Sequence, residues 1–173
     1  PALKGMANLS VQLGNHARAI DWYNRARRQG PSDASLLNSL AFSHRVVGHP
    51  DRARGLWLRA LSFEDDHADA HFNLGTALYL DGEPAQALPH LRRAVELAPD
   101  SAKYHNNAAA AHRAAGLPLQ AVAFWQSAIR VDSSYMDAYF NTAYTFQYDL
   151  GDPESALRHW EVARELSPAD ADV

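Results

Sequence analysis

The sequence contains no cysteine among its 173 residues. Disulfide bonds, thiolate metal sites and cysteine nucleophiles are therefore excluded. The sequence also lacks a glycine-rich phosphate loop, a serine nucleophile elbow and the paired-histidine motif of zinc proteases. We therefore expect a protein without catalytic residues, without a cofactor and without a bound metal.

Long apolar runs are missing as well, and so is an apolar leader preceded by basic residues. These absences argue against membrane insertion and against a secretory signal, and they favour a cytoplasmic location. Lysine is scarce, because Lys4 and Lys103 are the only two, and the net charge is -4. Since nucleic-acid-binding proteins usually carry a basic excess, nucleic acid is not an expected partner.

What the sequence does contain is a repeat of 34 residues. Glycine recurs at this step in one column, and alanine recurs in two others. A large side chain lies between the two alanines of each copy. A fifth copy follows one residue late and ends on a proline. The columns are Gly14, Gly48, Gly82 and Gly116; Ala19, Ala53, Ala87 and Ala121; Tyr23, Trp57, Leu91 and Trp125; Ala26, Ala60, Ala94 and Ala128; and, in the fifth copy, Gly151, Ala156, Trp160, Ala163 and Pro168.

Each repeat has the pattern of two helices joined by a tight turn. In the third repeat, His71, Leu74 and Leu78 are spaced as on one face of a helix. Gly82 suits a left-handed helix stop, and Pro84 suits the first turn of the next helix. The alanines allow two helices to approach closely. Because one helix pair cannot bury its apolar face alone, neighbouring pairs must stack, and the sequence predicts an all-α, right-handed superhelical solenoid.

These residues resemble the tetratricopeptide repeat. The third repeat matches that family's pattern, with aliphatic residues or histidine in place of some aromatics, at His71, Leu74, Gly75, Leu78, Gly82, Ala87, Leu91, Ala94 and Pro99. The resemblance covers residues 1–173 as one solenoid domain of five repeats: about 1–33, 34–67, 68–101, 102–135 and 136–170. It implies a protein–protein interaction scaffold. Because residues 169–173 look like the start of a sixth repeat, we expect a fragment of a longer protein.

The first helices of successive repeats are expected to line a concave groove. Asn73, Asn107 and Asn141 recur at one groove position, 34 residues apart. Asparagine is a modest helix former, and its amide can both donate to and accept from an extended peptide backbone. This asparagine ladder resembles those of peptide-binding tetratricopeptide proteins. The alternative is that these asparagines form a solvated helix face inherited from the repeat pattern.

Aromatic and charged side chains fall on the same predicted groove positions. Aromatics and arginine are the residues that anchor protein interfaces. Phe72 and Phe140 have a second interpretation, which is packing against the first helix of a neighbouring repeat. The groove charges are of mixed sign, so neither a polyanion nor a polycation is indicated. Besides the asparagines, the predicted partner-binding residues are Phe42, Arg45, Asp69, Phe72, Tyr79, Lys103, Arg113, Asp137, Phe140, Tyr144 and Tyr148.

Histidine is abundant, but a metal site is not predicted. His67 and His71 are four residues apart, a spacing that places two ligands on one helix face. However, His67 lies near the turn between repeats, and a third ligand would have to be Asp66 or Asp69. His71 and His105 share one repeat position, as residues with a packing role do. These histidines are therefore interpreted as structural.

Three hypotheses for function stay open at this point. The first is a scaffold that binds an extended peptide or a partner helix in the groove. The second is a self-assembling scaffold, a homo-oligomer formed through exposed repeat ends. The third is the substrate-recruiting superhelix of a larger enzyme such as a glycosyltransferase, whose asparagine ladder this one also resembles.

The fifth repeat carries one extra residue between Ala143 and Gly151. We expect a lengthened first helix or a looser turn there. Either would present Tyr148 differently from its counterparts in the other repeats.

Overall fold

The computed structural model describes residues 2–30 and 33–167. Within these ranges the chain forms ten α-helices and one π-helical turn, and no strand. Pro168 and the predicted start of a sixth repeat lie outside the described residues. The helices are α1 Ala2–Gln12, α2 His16–Gln29, α3 Ala34–Val46, α4 Pro50–Phe63, α5 Ala68–Leu80, α6 Pro84–Leu97, α7 Ala102–Ala114, α8 Pro118–Val131, α9 Met136–Thr145 and α10 Pro153–Leu166, and the π-helical turn Phe146–Leu150 follows α9.

The chain divides into two compact units, residues 1–77 and 78–173. In the N-terminal unit α1 packs against α2, α2 against α3, and α3 against α4. In the C-terminal unit α6 packs against α7, α7 against α8, α8 against α9, and α9 against α10. Helices that follow one another within a unit thus pack together, and the all-α arrangement of stacked helix pairs is confirmed. A single domain over residues 1–173 stays a prediction.

A glycine follows the first helix of every repeat, as the spacing predicted. All five have a positive φ, from +66° at Gly151 to +83° at Gly48. This left-handed conformation costs an L side chain energy but not glycine. In the first four repeats the residue after the glycine donates its N–H to the carbonyl five residues back, at 2.8 to 2.9 Å. The glycine thereby reverses the chain and satisfies the open carbonyls of the helix end.

The two alanine columns are mostly buried between the packed helices. Ala53 and Ala60 of α4 have no exposed surface, and neither have Ala121 and Ala128 of α8. The large residue between each pair is buried too, as Trp125 is in the C-terminal unit. A small side chain on one helix therefore leaves room for a large one beside it.

The extra residue of the fifth repeat is absorbed by the π-helical turn. The first helices of repeats two to four have 13 residues each, whereas α9 and the π-helical turn have 10 and 5. The bond that closes the turn runs from the Asp152 N–H to the Phe146 carbonyl, six residues back instead of five, at 2.9 Å. A π-helical turn takes up a single inserted residue because its hydrogen bonds span one residue more. The predicted lengthening of this first helix is confirmed.

Candidate partner-binding site

The N-terminal unit has a cavity of about 470 Å³ on the predicted groove positions. It brings together three predicted residues, Phe42, Asp69 and Asn73. Phe42 is 42% exposed and meets the ring of His16 edge-on, with 5.7 Å between ring centroids. The Tyr23 hydroxyl donates to the Asn8 amide oxygen at 2.6 Å, and burial raises the pKa of this phenol. The cavity is therefore lined by neutral groups and one carboxylate. Its residues are Asn8, Val11, Gln12, Tyr23, Asn38, Ser39, Phe42, Asp69 and Asn73.

The C-terminal unit has a smaller cavity of about 290 Å³, in which Tyr79, Arg113 and Asn141 of the predicted site meet. Arg113 forms a two-pronged ion pair with Asp149, from Nε to Oδ2 at 2.5 Å and from Nη2 to Oδ1 at 3.2 Å. This bond to Asp149 raises the pKa of Arg113. The guanidinium also lies 4.5 Å from the centre of the Tyr144 ring. The ion pair therefore holds the Arg113 guanidinium at the cavity wall, where it can stack on an aromatic ring and donate hydrogen bonds.

Asp149 was not among the predicted residues, although it lines this cavity. It lies in the π-helical turn, where the 34-residue spacing no longer says which way a side chain points. The one signal available in the sequence was the extra residue itself.

Three predicted aromatic residues form an exposed row at intervals of four along α9 and the π-helical turn. Phe140 is 50% exposed, Tyr144 38% and Tyr148 63%. Phe140 packs edge-on against Trp160, with 4.7 Å between ring centroids, and the ring centroids of Tyr144 and Tyr148 are 4.6 Å apart. We call Phe140, Tyr144 and Tyr148 the aromatic row. Ring contacts therefore hold all three side chains, while a large part of each remains exposed to solvent.

The asparagine ladder takes part in a hydrogen-bond network between repeats. In the C-terminal unit the Asn141 amide donates to Asn106 Oδ1 at 3.4 Å, and the same oxygen accepts from the indole of Trp125 at 3.0 Å. The N-terminal unit has the same arrangement, because Asn73 and Trp57 both donate to Asn38, at 2.9 and 3.0 Å. Asn73 and Asn141 therefore have a structural role that the spacing alone did not indicate.

The remaining predicted residues lie outside both cavities. Phe72 is only 4% exposed, so it is a core residue and not an accessible anchor. Lys103 and Asp137 are exposed, and Arg45 is half-buried. Asn107 is half-buried and accepts from the Asn106 amide at 3.4 Å.

The histidines at the shared repeat position are buried and bind the backbone of the preceding turn. His71 Nε2 lies 2.8 Å from the Asp65 carbonyl, and His105 Nε2 lies 2.9 Å from the Pro99 carbonyl. Their interpretation as packing residues is confirmed. In the part of the chain that the structure describes, no three or more His, Asp or Glu side chains are grouped so as to hold a metal ion. Over the same residues, none of the helices combines the length and the apolar character needed to cross a membrane.

Helix pairs repeated every 34 residues, turned by a left-handed glycine and packed through buried alanines, define an α-solenoid repeat protein. The sequence profile of the tetratricopeptide repeat matches residues 2–34 and 40–102, more than half of the chain, and the chain belongs to this family. No curated protein sequence matches it. Members of the family are generally non-enzymatic scaffolds for protein–protein interaction.

Solved structures with the same fold include MamA and YrrB. One MamA structure is 19% identical over 93% of this chain and 94% of its own, with a TM-score of 0.85. MamA from Desulfovibrio magneticus RS-1 (residue 41 to the end) is 18% identical over 98% of this chain and 96% of its own, with a TM-score of 0.89. YrrB, described as having an unusual peptide-binding site, is 24% identical over 97% of this chain and 86% of its own, with a TM-score of 0.82. At these identities the likeness concerns the fold.

Proposed function

We propose that the chain binds an extended segment of a partner protein, and that the aromatic row and the adjacent cavity of the C-terminal unit form the main binding surface. The observation that carries the proposal is the exposure of three large rings on successive helical turns beside a polar cavity. Exposed apolar surface of this kind marks interaction sites, because it is costly to leave in water.

The cavity suits a single side chain of the partner. Its volume of about 290 Å³ is at the lower limit of small-molecule sites. Tyr79 and Asn141 contribute polar groups to the wall, and Arg113 and Asp149 contribute a charge of each sign. A partner side chain that enters can therefore find a donor and an acceptor while its neighbours cover the rings of Tyr144 and Tyr148.

The Asn141 amide supports the same proposal in a more limited way. One of its N–H bonds points to Asn106, which leaves the second amide hydrogen and the amide oxygen as groups that a peptide backbone can bind. YrrB, with the same fold, is described as having a peptide-binding site.

The experiment starts from peptides selected against the whole chain from a random display library. Their dissociation constants are measured by fluorescence anisotropy with the wild-type protein and with Tyr148→Ala. Because truncation of an aromatic hot-spot residue costs about 2 kcal/mol or more, we expect about 30-fold weaker binding.

The matched control is Leu119→Ala, which removes a side chain that is 68% exposed on α8 of the same unit, outside both cavities and outside the aromatic row. Its affinity should equal that of the wild type. If Tyr148→Ala and Leu119→Ala bind the selected peptides equally well, or if no peptide is selected, the proposed surface is wrong.

A further inference from the structure

The charged residues are distributed very unevenly along the chain. Residues 1–63, up to the end of α4, carry nine basic and three acidic side chains, whereas the remaining 110 residues carry seven basic and seventeen acidic ones. The net charge of -4 conceals this division. Seven of the basic residues are arginines on α2 and α4, the second helices of the first two repeats: Arg18, Arg25, Arg27, Arg28, Arg52, Arg54 and Arg59.

A cavity of about 510 Å³ lies among these arginines. Arg27 comes from α2, and Arg52 and Arg59 come from α4. The cavity shares no lining residue with the groove cavity of the same unit, so it is a separate site. Its other lining residues are Ile20, Asn24, Leu40, His44, Asp51, Gly55 and Leu56.

The guanidinium groups of the cavity are available to a ligand. In the described part of the chain, Arg27, Arg52 and Arg59 form no ion pair with an acidic side chain; Arg59 has a ring contact with Phe63, at 6.0 Å. Asp51 also lines the cavity. Because a guanidinium has five donors in a planar fork, unpaired arginines that converge on one cavity suit an anion with several acceptor oxygens.

The charge and polarity of the cavity narrow the choice of anion. Three arginines and one aspartate give a net charge of about +2, since burial lowers the pKa of His44 and favours its neutral form. A phosphate monoester carries about -1.5 to -2 at neutral pH and has three acceptor oxygens. Ile20, Leu40 and Leu56 add an apolar wall against which the body of a phosphorylated side chain can pack.

We propose that the cavity between α2 and α4 binds a phosphorylated side chain in an acidic peptide segment of a partner protein. The further arginines of α2, Arg18, Arg25 and Arg28, extend the positive charge beyond the cavity. They favour a peptide with acidic residues flanking the phosphate over an isolated phosphorylated metabolite.

The test uses two probes, phenyl phosphate and a Glu-rich peptide with one central phosphotyrosine. Binding is followed through the ¹H–¹⁵N signals of the arginine Nε–H groups and by isothermal titration calorimetry. The signals of Arg27, Arg52 and Arg59 should move with both probes, and the peptide should bind more tightly than phenyl phosphate. The same peptide without the phosphate should bind at least about tenfold more weakly, because a charge-assisted fork is lost.

Two variants with opposite expected effects separate binding from folding. Arg52→Gln should weaken binding of the phosphopeptide about tenfold or more, since it removes one charged fork. Asp51→Asn should strengthen binding severalfold, because it removes a carboxylate that repels the phosphate, and a misfolded protein would not produce such a gain. Arg92→Gln, at an exposed position of α6 in the other unit, is the control and should bind like the wild type.

Several results would overturn the proposal. One is equal affinity for the phosphorylated and unphosphorylated peptides, which would indicate a general attraction of acidic chains. Another is phenyl phosphate binding as tightly as the phosphopeptide, which would indicate a site for small phosphate esters. Weaker binding by Asp51→Asn, or unchanged arginine signals with both probes, would show that the cavity is not the site.

Discussion

Removing the acceptor of the Trp125 indole tests how the repeat core is held together. In the wild type, Asn106 Oδ1 accepts from the indole N–H at 3.0 Å and from the Asn141 amide at 3.4 Å. Trp125 is only 1% exposed, so its indole N–H depends on this acceptor within the protein. The substitution Asn106→Leu keeps a side chain that branches at Cγ and leaves this buried N–H without a partner.

The size of the effect follows from the burial of the indole. A buried donor without a partner costs about 1–3 kcal/mol. For a chain of this length, about 1 kcal/mol lowers Tm by roughly 2–4 °C. With a central value of about 2 kcal/mol, Asn106→Leu should therefore lower Tm by roughly 4–8 °C.

A second substitution removes the need for the acceptor. Trp125→Phe takes away the indole N–H, and the third repeat already combines apolar residues at these two positions, as Phe72 and Leu91. Trp125→Phe alone loses packing. The double variant should nevertheless be about 1–2 kcal/mol more stable than the sum of the two single losses predicts. The reason is that the stability changes of substitutions at contacting residues do not simply add.

The assay is thermal and urea unfolding followed by far-UV circular dichroism. Because repeat arrays can unfold in parts, hydrogen exchange of the α7 and α8 amides should accompany it. Gln126→Leu, at an exposed position next to Trp125, is the control, with an expected change within about 0.5 kcal/mol. The reasoning is refuted if Asn106→Leu is as stable as this control, or if the two single losses simply add.

Two further predictions concern the turns and the dependence of stability on pH. Gly116→Ala should lose about 1–2 kcal/mol, because its φ is +77°, whereas Gly55→Ala inside α4 should gain about 0.5–1 kcal/mol, since its new Cβ meets nothing within 4 Å. Urea unfolding measures the stability change of each variant. Changes of the same sign in the two variants would contradict the conformational argument. Burial, and then His49, Arg52 and Arg27, lower the pKa of His44 in the folded state. The unfolded state therefore takes up the proton first, so the stability that neutral His44 contributes should be complete above about pH 6.5 and fall as the pH drops toward the folded pKa. His44→Gln should show a smaller loss of Tm between neutral and acidic pH, and parallel Tm curves for the two proteins would count against this explanation.

The fold could be read from the sequence because its requirements are local and recur in every repeat. A glycine is needed where the chain turns with positive φ, and an alanine is needed where two helices touch. Gly116, Ala121 and Ala128 show both requirements within one repeat. Such positions repeat at a fixed spacing whatever surface the protein presents.

The site was only partly readable, because hydrogen-bond partners do not follow from spacing. The recurrence of asparagine points to Asn141, but its partner Asn106 lies one position earlier in the preceding repeat. One signal in the sequence could have revealed the network. In the second and fourth repeats the position of Asn106 is occupied by Asn, and the second helix carries Trp, as with Asn106 and Trp125. In the third repeat the same position is occupied by Phe, and the second helix carries Leu91.

The basic cavity was missed for a different reason. A net charge taken over the whole chain averages the arginines of α2 and α4 with the acidic residues that follow them. Only the packing of the two helices brings Arg27 and Arg52 to the same cavity.

The π-helical turn has a consequence for how this chain can change in evolution. One residue inserted into an α-helix rotates everything after it by about 100°. Yet Ala156 and Ala163 of α10 still face the core, so the rotation ends before the helix begins. The glycine turn separates the register of one helix from that of the next, which lets the length of the first helix vary while the buried columns stay aligned. A repeat can in this way acquire a new surface, such as the one that presents Tyr148, without a compensating change elsewhere.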